Sequence, residues 1–283
     1  MNNLRVVLEG GLGNQLFGWA AGLAISKKCG ANLILDCSNL HQWGYQMLGV
    51  ATQAQTIRAG RITYLPGMHT FFRTIRPLEA KRFGIDVYED TFHYQPSLGD
   101  LVAPATLRGF FQSEKYFDSV ASEIKSILWE SQAAFDAIKM SQDLEIPQGF
   151  IAVDVRLGDY LKVSDYFVNL PPRYFELAIA LAKKKAGKIP VVVFTDSLEL
   201  CKRLVPGQDL YVGLQKRYSP LSKMLLMAGA RAFVGSNSSF SWWSAYLGTY
   251  PDSNKIFPET WFVDDKINTQ DLIPAGWTVA PVD

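Results

Sequence analysis

The order of apolar and polar positions along the first forty residues predicts a strand, a loop, a helix and a second strand. Residues 4–8 form a short apolar run typical of a β-strand, and the glycines of residues 10–13 interrupt it. A helical period follows, carried by Leu16, Ala20, Leu23 and Ala24. Residues 32–36 are the next apolar run, which completes a β-α-β unit of the kind that builds parallel sheets covered by helices.

A second series of alternating strands and helices begins at residue 150. Residues 150–155 read as a strand, and the polar residues 142–149 before it read as a linker. The helices predicted afterwards start at Pro171-Pro172, at Ser219-Pro220 and after residue 239, with strands at residues 191–194 and 232–234 between them. We therefore predict an α/β fold with domains over residues 1–147 and 148–283. Residues 41–92 show no clear period and receive no element.

Composition narrows the class of protein. With 283 residues, 48% of them hydrophobic and 19% charged, the chain has enough apolar side chains for a sizeable core. The net charge of +1 provides no field for a nucleic-acid backbone, so we expect no nucleic-acid partner. No signal peptide or membrane-spanning run is recognisable, which predicts a cytoplasmic protein and leaves peripheral membrane association open. The oligomeric state is not predicted.

Metal binding and cofactor binding receive little support from the sequence. Three cysteines and three histidines stand singly, without C-x-x-C spacing, and no two aspartates stand at D-x-D spacing. We therefore predict no metal site and no resident cofactor.

Candidate chemistry lies just after the strands, because ligands of parallel sheets bind at the carboxyl ends of strands. In the first loop, Gly11 and Gly13 would let the backbone approach a ligand, and Asn14 and Gln15 open a helix whose N-terminus favours an anion. A dinucleotide-binding loop is one alternative, although Leu16 occupies its third glycine position. A tight turn without a ligand is the other.

Two further loops carry charged side chains. Arg156 follows the strand over residues 150–155 with Asp159 close behind, and an arginine there can hold a phosphate with two hydrogen bonds, although an ordinary salt bridge explains the pair as well. Thr195 and Asp196 follow the next strand. They offer hydrogen bonds to a ribose or a base, or simply cap the next helix.

The fourth loop brings small polar side chains to the start of a helix. They are Asn237, Ser238, Ser239 and Ser241, with Phe240 among them and Trp242-Trp243 directly behind. Such a loop suits a pyrophosphate group. The alternative is a helix with several capping groups whose tryptophans fill the interior.

Long strings in the chain resemble the α-1,2-fucosyltransferases of glycosyltransferase family 11. Residues 10–17 match that family's G-G-L-G-N-Q-L-F, and residues 109–117 resemble its G-Y-F-Q-S-E-K-Y-F. Residues 237–243 match N-S-S/T-F-S-W-W, residues 194–196 resemble F-S-D, and residues 258–262 resemble P-K-x-W-F.

The resemblance implies a GT-B fold of two Rossmann-like domains facing a cleft, with the acceptor mainly on the amino-terminal domain and the nucleotide-sugar donor on the carboxyl-terminal one. It also implies metal-independent, inverting transfer of fucose from GDP-fucose to the 2-hydroxyl of a galactoside-type oligosaccharide or glycolipid. Arg156 would bind the diphosphate, and Gly13, Asn14, Ser238 and Ser239 would donate hydrogen bonds to the donor.

The chain departs from the family pattern at charged positions. Asp154 replaces a histidine, Leu157 replaces a second arginine, and Lys223 stands where an acid is usual. As a hypothesis, Asp154 serves as general base. These changes keep three alternatives open: another nucleotide-sugar donor, a non-catalytic nucleotide- or sugar-binding module, and, least supported, a nicotinamide enzyme.

Overall fold

The apolar runs of the sequence form two parallel sheets in a computed structural model. It describes residues 2–38, 40, 55–57, 84–89, 91–158, 165–213 and 215–282. Contacts between residues divide the chain into two compact units, Met1–Ile127 with Thr269–Leu272, and Leu128–Asn268 with Ile273–Asp283.

The first unit contains a parallel sheet in the order β3-β2-β1-β5-β4 within the described residues. Its strands are β1 (Asn3–Val7), β2 (Asn32–Asp36), β3 (Gln55–Ile57), β4 (Ile85–Tyr88) and β5 (Ala105–Arg108). Helix α1 (Leu12–Lys28) connects β1 to β2, and α2 (Ala121–Trp129) begins after short 3-10 turns at Pro96–Asp100, Glu114–Tyr116 and Asp118–Val120. The predicted β-α-β unit over residues 4–36 is confirmed.

Helix α1 packs closely on the sheet through two glycines of its own. A Cβ on Gly22 would lie 2.5 Å from Val6 Cγ2 and 2.9 Å from Leu33 Cδ1, and one on Gly18 would lie 3.0 Å from Leu8 Cδ2. Close approach of helix and strand therefore occurs two and three turns into the helix, and not at the third position of a dinucleotide-binding loop.

The second unit contains a parallel sheet in the order β11-β10-β9-β6-β7-β8. Its strands are β6 (Ile151–Val155), β7 (Val191–Thr195), β8 (Leu210–Val212), β9 (Ala232–Val234), β10 (Lys255–Pro258) and β11 (Thr278–Ala280). Its helices are α3 (Gln132–Asp143), α4 (Pro172–Ala186), α5 (Leu198–Leu204), α6 (Pro220–Ala228) and α7 (Ser239–Tyr246), with a 3-10 turn at Asp252–Asn254. Every strand and helix predicted after residue 150 is present.

The strand order of the second unit reverses between β6 and β9. From β6 the chain first adds β7 and β8 on one side and then β9, β10 and β11 on the other, which is the order of a Rossmann fold. The loops after β6 and β9 leave the sheet at this reversal, where parallel α/β sheets bind ligands.

The division between the units differs from the predicted domains 1–147 and 148–283. Contacts place it after Ile127, because α3 packs with the second unit. The buried side of α3 consists of Ala133, Ala134, Ala137 and Met140. Trp129 Nε1 donates to the Leu247 carbonyl at 3.2 Å, and Arg217 pairs with Asp143 at 3.0 Å. Small residues that let α3 approach α6 thus keep the supposed linker within the second unit.

Candidate active site

The loop after β6 is held in place by a carboxylate from the loop after β7. Asp196 Oδ1 accepts hydrogen bonds from the backbone nitrogens of Leu157 at 3.0 Å and Gly158 at 3.1 Å. Asp196 Oδ2 pairs with Arg156 Nη1 at 3.0 Å. The Arg156 side chain is 35% exposed and that of Asp196 10%, so Asp196 fixes a guanidinium that remains accessible to a ligand.

The same loop is tied across the strand reversal to the loop after β9. Ser236 Oγ donates to the Asp154 carbonyl at 2.7 Å and accepts from the Arg156 backbone nitrogen at 3.1 Å. The buried Tyr174 hydroxyl donates to the Gly235 carbonyl at 2.6 Å. These contacts place Arg156 close to the start of α7. Ser236 belongs to the fourth polar loop, directly before the matched residues 237–243, but sequence reasoning assigned it no role of its own. No motif points to Tyr174.

Helix α7 begins in the polar loop that the sequence singled out. Ser238 is its N-cap, and its hydroxyl accepts from the Phe240 nitrogen at 3.2 Å. Ser239 and Phe240 are half-buried at the first turn, whereas Ser241 is fully buried. Trp242 and Trp243 are both fully buried, so the tryptophans fill the interior, as the alternative of a capped helix without a ligand proposes.

The Asn237 side chain bridges two backbone carbonyls. Its amide nitrogen Nδ2 donates to the carbonyl of Val168 at 2.9 Å and to that of Trp261 at 3.0 Å. The nitrogen of Val168 also donates to the Trp261 carbonyl at 3.0 Å. One amide thus connects the segments before α4 and after β10 to the loop that begins α7.

Asp154 lies buried beneath this group of loops. It is 3% exposed, and Ser241 Oγ donates to its Oδ2 at 2.6 Å. Burial raises the pKa of the Asp154 carboxyl above its ordinary value, while Lys223, Ser241 and Arg156 oppose the rise and Asp196 adds to it. A general base has to reach the proton that it removes, so this burial disfavours the predicted role of Asp154. That role stays a prediction.

The Thr195 side chain hydrogen-bonds to the backbone of its own loop. It is fully buried, and its Oγ1 accepts from the Ser197 nitrogen at 3.1 Å. The cap of α5 is Ser197, without a side-chain hydrogen bond. Asp196 therefore contacts residues 156–158 and does not cap the helix. A contact between Thr195 and the nucleotide-sugar donor stays a prediction. Asp159 lies outside the described residues.

The contacts that the structure describes in the predicted glycine loop of the first unit are made by neutral groups. Gly11 is the N-cap of α1 and provides no side-chain cap, and the space where its Cβ would stand is open to 4 Å. The buried Gln15 side chain donates to the Gly10 carbonyl at 2.9 Å, and Gln112 Nε2 donates to Asn14 Oδ1 at 2.9 Å. The first turn of α1, including the buried Gly13, is thus arranged by neutral groups.

The string over residues 109–117 forms the neighbouring loop after β5. Glu89 Oε2 accepts from the nitrogens of Phe110 and Phe111, both at 3.0 Å. Gly109 has φ +138°, and a Cβ there would lie 2.7 Å from both Glu89 Cβ and the Glu89 carbonyl oxygen. Phe111 is fully buried with φ +52°. This motif shapes the backbone that brings Gln112 to Asn14.

No group of three or more metal-ligating side chains occurs in the described ranges. No helix in that part of the chain is both long enough and apolar enough to cross a membrane.

The sequence pattern of the family described as Glycosyl transferase family 11 matches residues 102–280, which is more than half of the chain. The chain belongs to glycosyltransferase family 11. It is therefore a glycosyltransferase, and membership implies a nucleotide-sugar donor and an oligosaccharide acceptor.

Two relatives and one solved structure extend the family assignment. An α-1,2-colitosyltransferase of Escherichia coli is 26% identical over 289 residues, covering 95% of this chain and 96% of the relative. Galactoside α-(1,2)-fucosyltransferase 1 of Plecturocebus brunneus is 26% identical over 206 residues, covering 62% of this chain and 55% of the relative. The Bradyrhizobium NodZ α-1,6-fucosyltransferase co-crystallised with GDP superposes with a TM-score of 0.51 at 14% identity, covering 88% of this chain and 93% of NodZ. The predicted α/β fold of GT-B type is confirmed.

Proposed function

We propose that the protein transfers fucose from GDP-fucose to the 2-hydroxyl of a galactoside-type oligosaccharide or glycolipid, with inversion and without a metal ion. The observation that carries the proposal is the accessible Arg156 guanidinium, fixed by Asp196 at the strand reversal beside the start of α7. Ligands bind at such reversals, and helix N-termini favour phosphate groups.

Arg156 has the main electrostatic role in the proposed reaction. The acceptor hydroxyl attacks the anomeric carbon from the face opposite GDP and gives its proton to a general base. The bond to the diphosphate oxygen breaks, and negative charge develops on the leaving GDP. A fixed guanidinium stabilises that charge with two hydrogen bonds, and does so at little reorganisation cost because Asp196 already holds it. The start of α7, with Ser238 and Ser239, completes the diphosphate site, and Thr195, Asn237, Phe240 and Ser241 shape its surroundings.

In this proposal the first unit binds the acceptor sugar, and backbone nitrogens of its glycine loop donate hydrogen bonds to the nucleotide sugar. Gly11 and Gly13 stand at the start of α1, where the N-cap Gly11 offers no side-chain hydrogen bond to the backbone nitrogens of the first turn. Asn14 and Gln15 keep that turn in place through Gln112 and Gly10. Burial disfavours Asp154 as the general base, and Asp159, close behind Arg156 in the sequence, is the second carboxylate that the sequence offers at this loop.

A donor with the same nucleotide and a different sugar is the second candidate. Both relatives form α-1,2 linkages by name, but one is a colitosyltransferase and the other a fucosyltransferase. Colitose is fucose without its 3-hydroxyl, so the two donors differ by one hydrogen-bonding group. Competition between GDP-fucose and GDP-colitose for one acceptor separates them by their kcat/KM ratio.

The deciding experiment is calorimetric titration of the purified protein with GDP, UDP, CMP and NAD, first with a chelator and then with Mg²⁺. We expect GDP to bind most tightly and equally well under both conditions. Preference for UDP overturns the proposed donor, and a requirement for Mg²⁺ overturns metal independence. GDP binding without transfer or hydrolysis across an acceptor panel favours the non-catalytic module instead.

Cellular location belongs to the same proposal. We expect the protein in the cytoplasm, at the membrane surface when its acceptor is lipid-linked. Fractionation of expressing cells tests this, and recovery from the periplasm contradicts it.

A further inference from the structure

Lys223 places a positive charge where its own helix does not favour one. It is the fourth residue of α6, next to the positive end of the helix dipole, and its side chain is half-buried. In the part of the chain that the structure describes, its ammonium has no carboxylate within ion-pair distance. Helix stability therefore does not explain a lysine here.

The ammonium also lies against the start of a second helix. Lys223 Nζ is 5.8 Å from the ring centroid of Phe240, in the first turn of α7. Helices α6 and α7 pack together, so two positive helix ends and one cation share this region. Such an arrangement is stabilised by an anion.

The carboxyl group that Lys223 acts on is Asp154. This carboxyl is buried and accepts from Ser241, the neighbour of Phe240. Of the charges that lower its pKa against the effect of burial, Lys223 is the largest and Arg156 is another. Both cations thus act on the same buried group, one from α6 and the other from the loop after β6.

The charges of this cluster favour an anionic ligand. Asp196 is already paired with Arg156, and burial favours the neutral form of Asp154. Leu157 beside Arg156 is apolar, so the described part of the loop after β6 supplies a single cation. A diphosphate group has more negative charge than one guanidinium compensates.

We propose that Lys223 is a second diphosphate-binding residue of the donor site, acting together with Arg156 at the start of α7. This inference rests on the proposed function, because it assigns Lys223 to the leaving-group end of the same nucleotide-sugar site. In the sequence Lys223 stands out only as a departure from the family pattern, without an assigned role.

The test compares Lys223→Met, which keeps the stem and removes the charge, with Lys223→Arg, which keeps the charge. Lys184→Met, an exposed lysine on α4, is the matched control. GDP and guanosine are titrated into each variant. We expect Lys223→Met to weaken GDP binding about tenfold or more and guanosine binding less than about twofold, since guanosine has no phosphate. Lys223→Arg should stay within about threefold of the parent protein for GDP.

Equal weakening of GDP and guanosine by Lys223→Met would show a structural role and overturn the inference, as would unchanged GDP binding. Because Lys223 lowers the pKa of Asp154 more than any other charge does, the single variant is also made in an Asp154→Asn background, where this carboxyl group is absent. We expect Lys223→Met to weaken GDP binding there as well. Absence of any effect in that background means that Lys223 acts only through Asp154, which also overturns the inference.

The two proposals fail in different ways. If the parent protein prefers UDP, the GDP donor is wrong, and Lys223 is judged by UDP against uridine in the same variants. If GDP binds and Lys223→Met leaves its affinity unchanged, the donor proposal stands and the inference falls. If no nucleoside diphosphate binds, both are overturned.

Discussion

Two junctions of strand, loop and helix invite comparison, the one from β1 into α1 and the one from β9 into α7. Both follow a central strand of a parallel sheet, and both are rich in small residues. At α1 the described contacts are neutral, from Gln15 to the Gly10 carbonyl and from Gln112 to Asn14. At α7 the surroundings are charged, with Arg156, Asp196, Asp154 and Lys223. The same local pattern is thus accompanied by neutral described contacts in one unit and by charged side chains in the other.

The largest expected effect comes from removing the accessible cation of the α7 junction. Arg156→Ala should lower kcat/KM at least about a thousandfold, because the charge on the leaving diphosphate loses its main partner. Arg156→Lys should recover little, since an ammonium cannot reproduce the two-pronged contact. Steady-state kinetics measures both. The exposed Arg203→Ala on α5 is the control, and near-normal kcat in Arg156→Ala would place the diphosphate elsewhere.

Asp196 should matter through the position of Arg156. Asp196→Ala removes the ion pair and both acceptor contacts, and we expect a loss of about a hundredfold in kcat/KM from misplacement of the guanidinium. Asp196→Asn keeps a carbonyl oxygen for the nitrogens of Leu157 and Gly158, so it should lose less. Equal losses in the two variants would show that the charge alone matters.

The α1 junction should respond in stability, and at different glycines. Gly22→Ala places a Cβ 2.5 Å from Val6 Cγ2 and should lower the free energy of unfolding by about 1–3 kcal/mol. Gly11→Ala meets open space and should leave that free energy almost unchanged while lowering activity. Denaturant unfolding with parallel kinetics tests the pair. A Gly11→Ala variant with full activity would remove this loop from the proposed donor site.

The smallest effect expected is a pH dependence at the α7 junction. The groups acting on Asp154 are Lys223, Arg156, Ser241 and Asp196, and Cys201 responds to it in turn. Since burial raises the pKa of Asp154 in the folded protein, the folded state binds this proton more tightly than the unfolded state does. Stability should therefore fall as pH rises from the ordinary carboxyl range through the raised pKa.

An anion beside Asp154 favours its protonated form as well, so GDP binding should strengthen a few-fold as pH falls through the same range. Calorimetry and denaturant unfolding at several pH values, with Asp154→Asn as the variant lacking the group, check both statements. Identical pH profiles in the two proteins would contradict them.

Periodicity predicted the strands and helices well where apolar runs were short and bounded by glycine or proline, as at residues 32–36 and 191–194. It could not locate the division between the units, because the packing of α3 on α6, which brings residues 132–143 and the supposed linker 142–149 into the second unit, is not visible in the sequence. The motifs pointed to the loops after β6, β7 and β9, which hydrogen bonds of Asp196 and Ser236 join in the structure. They did not reveal that Asp196 holds Arg156 or that Asn237 bridges two carbonyls, since such contacts join residues distant in sequence and depend on how the strands are ordered.

The bridge made by Asn237 has a consequence for engineering. Because its single amide nitrogen donates to the carbonyls of Val168 and Trp261, three stretches of chain that are far apart in sequence are joined at one side chain. Loop grafting between family members that replaces one stretch alone leaves a buried carbonyl or an amide without its partner. Chimeras intended to change donor preference should therefore transplant all three stretches together.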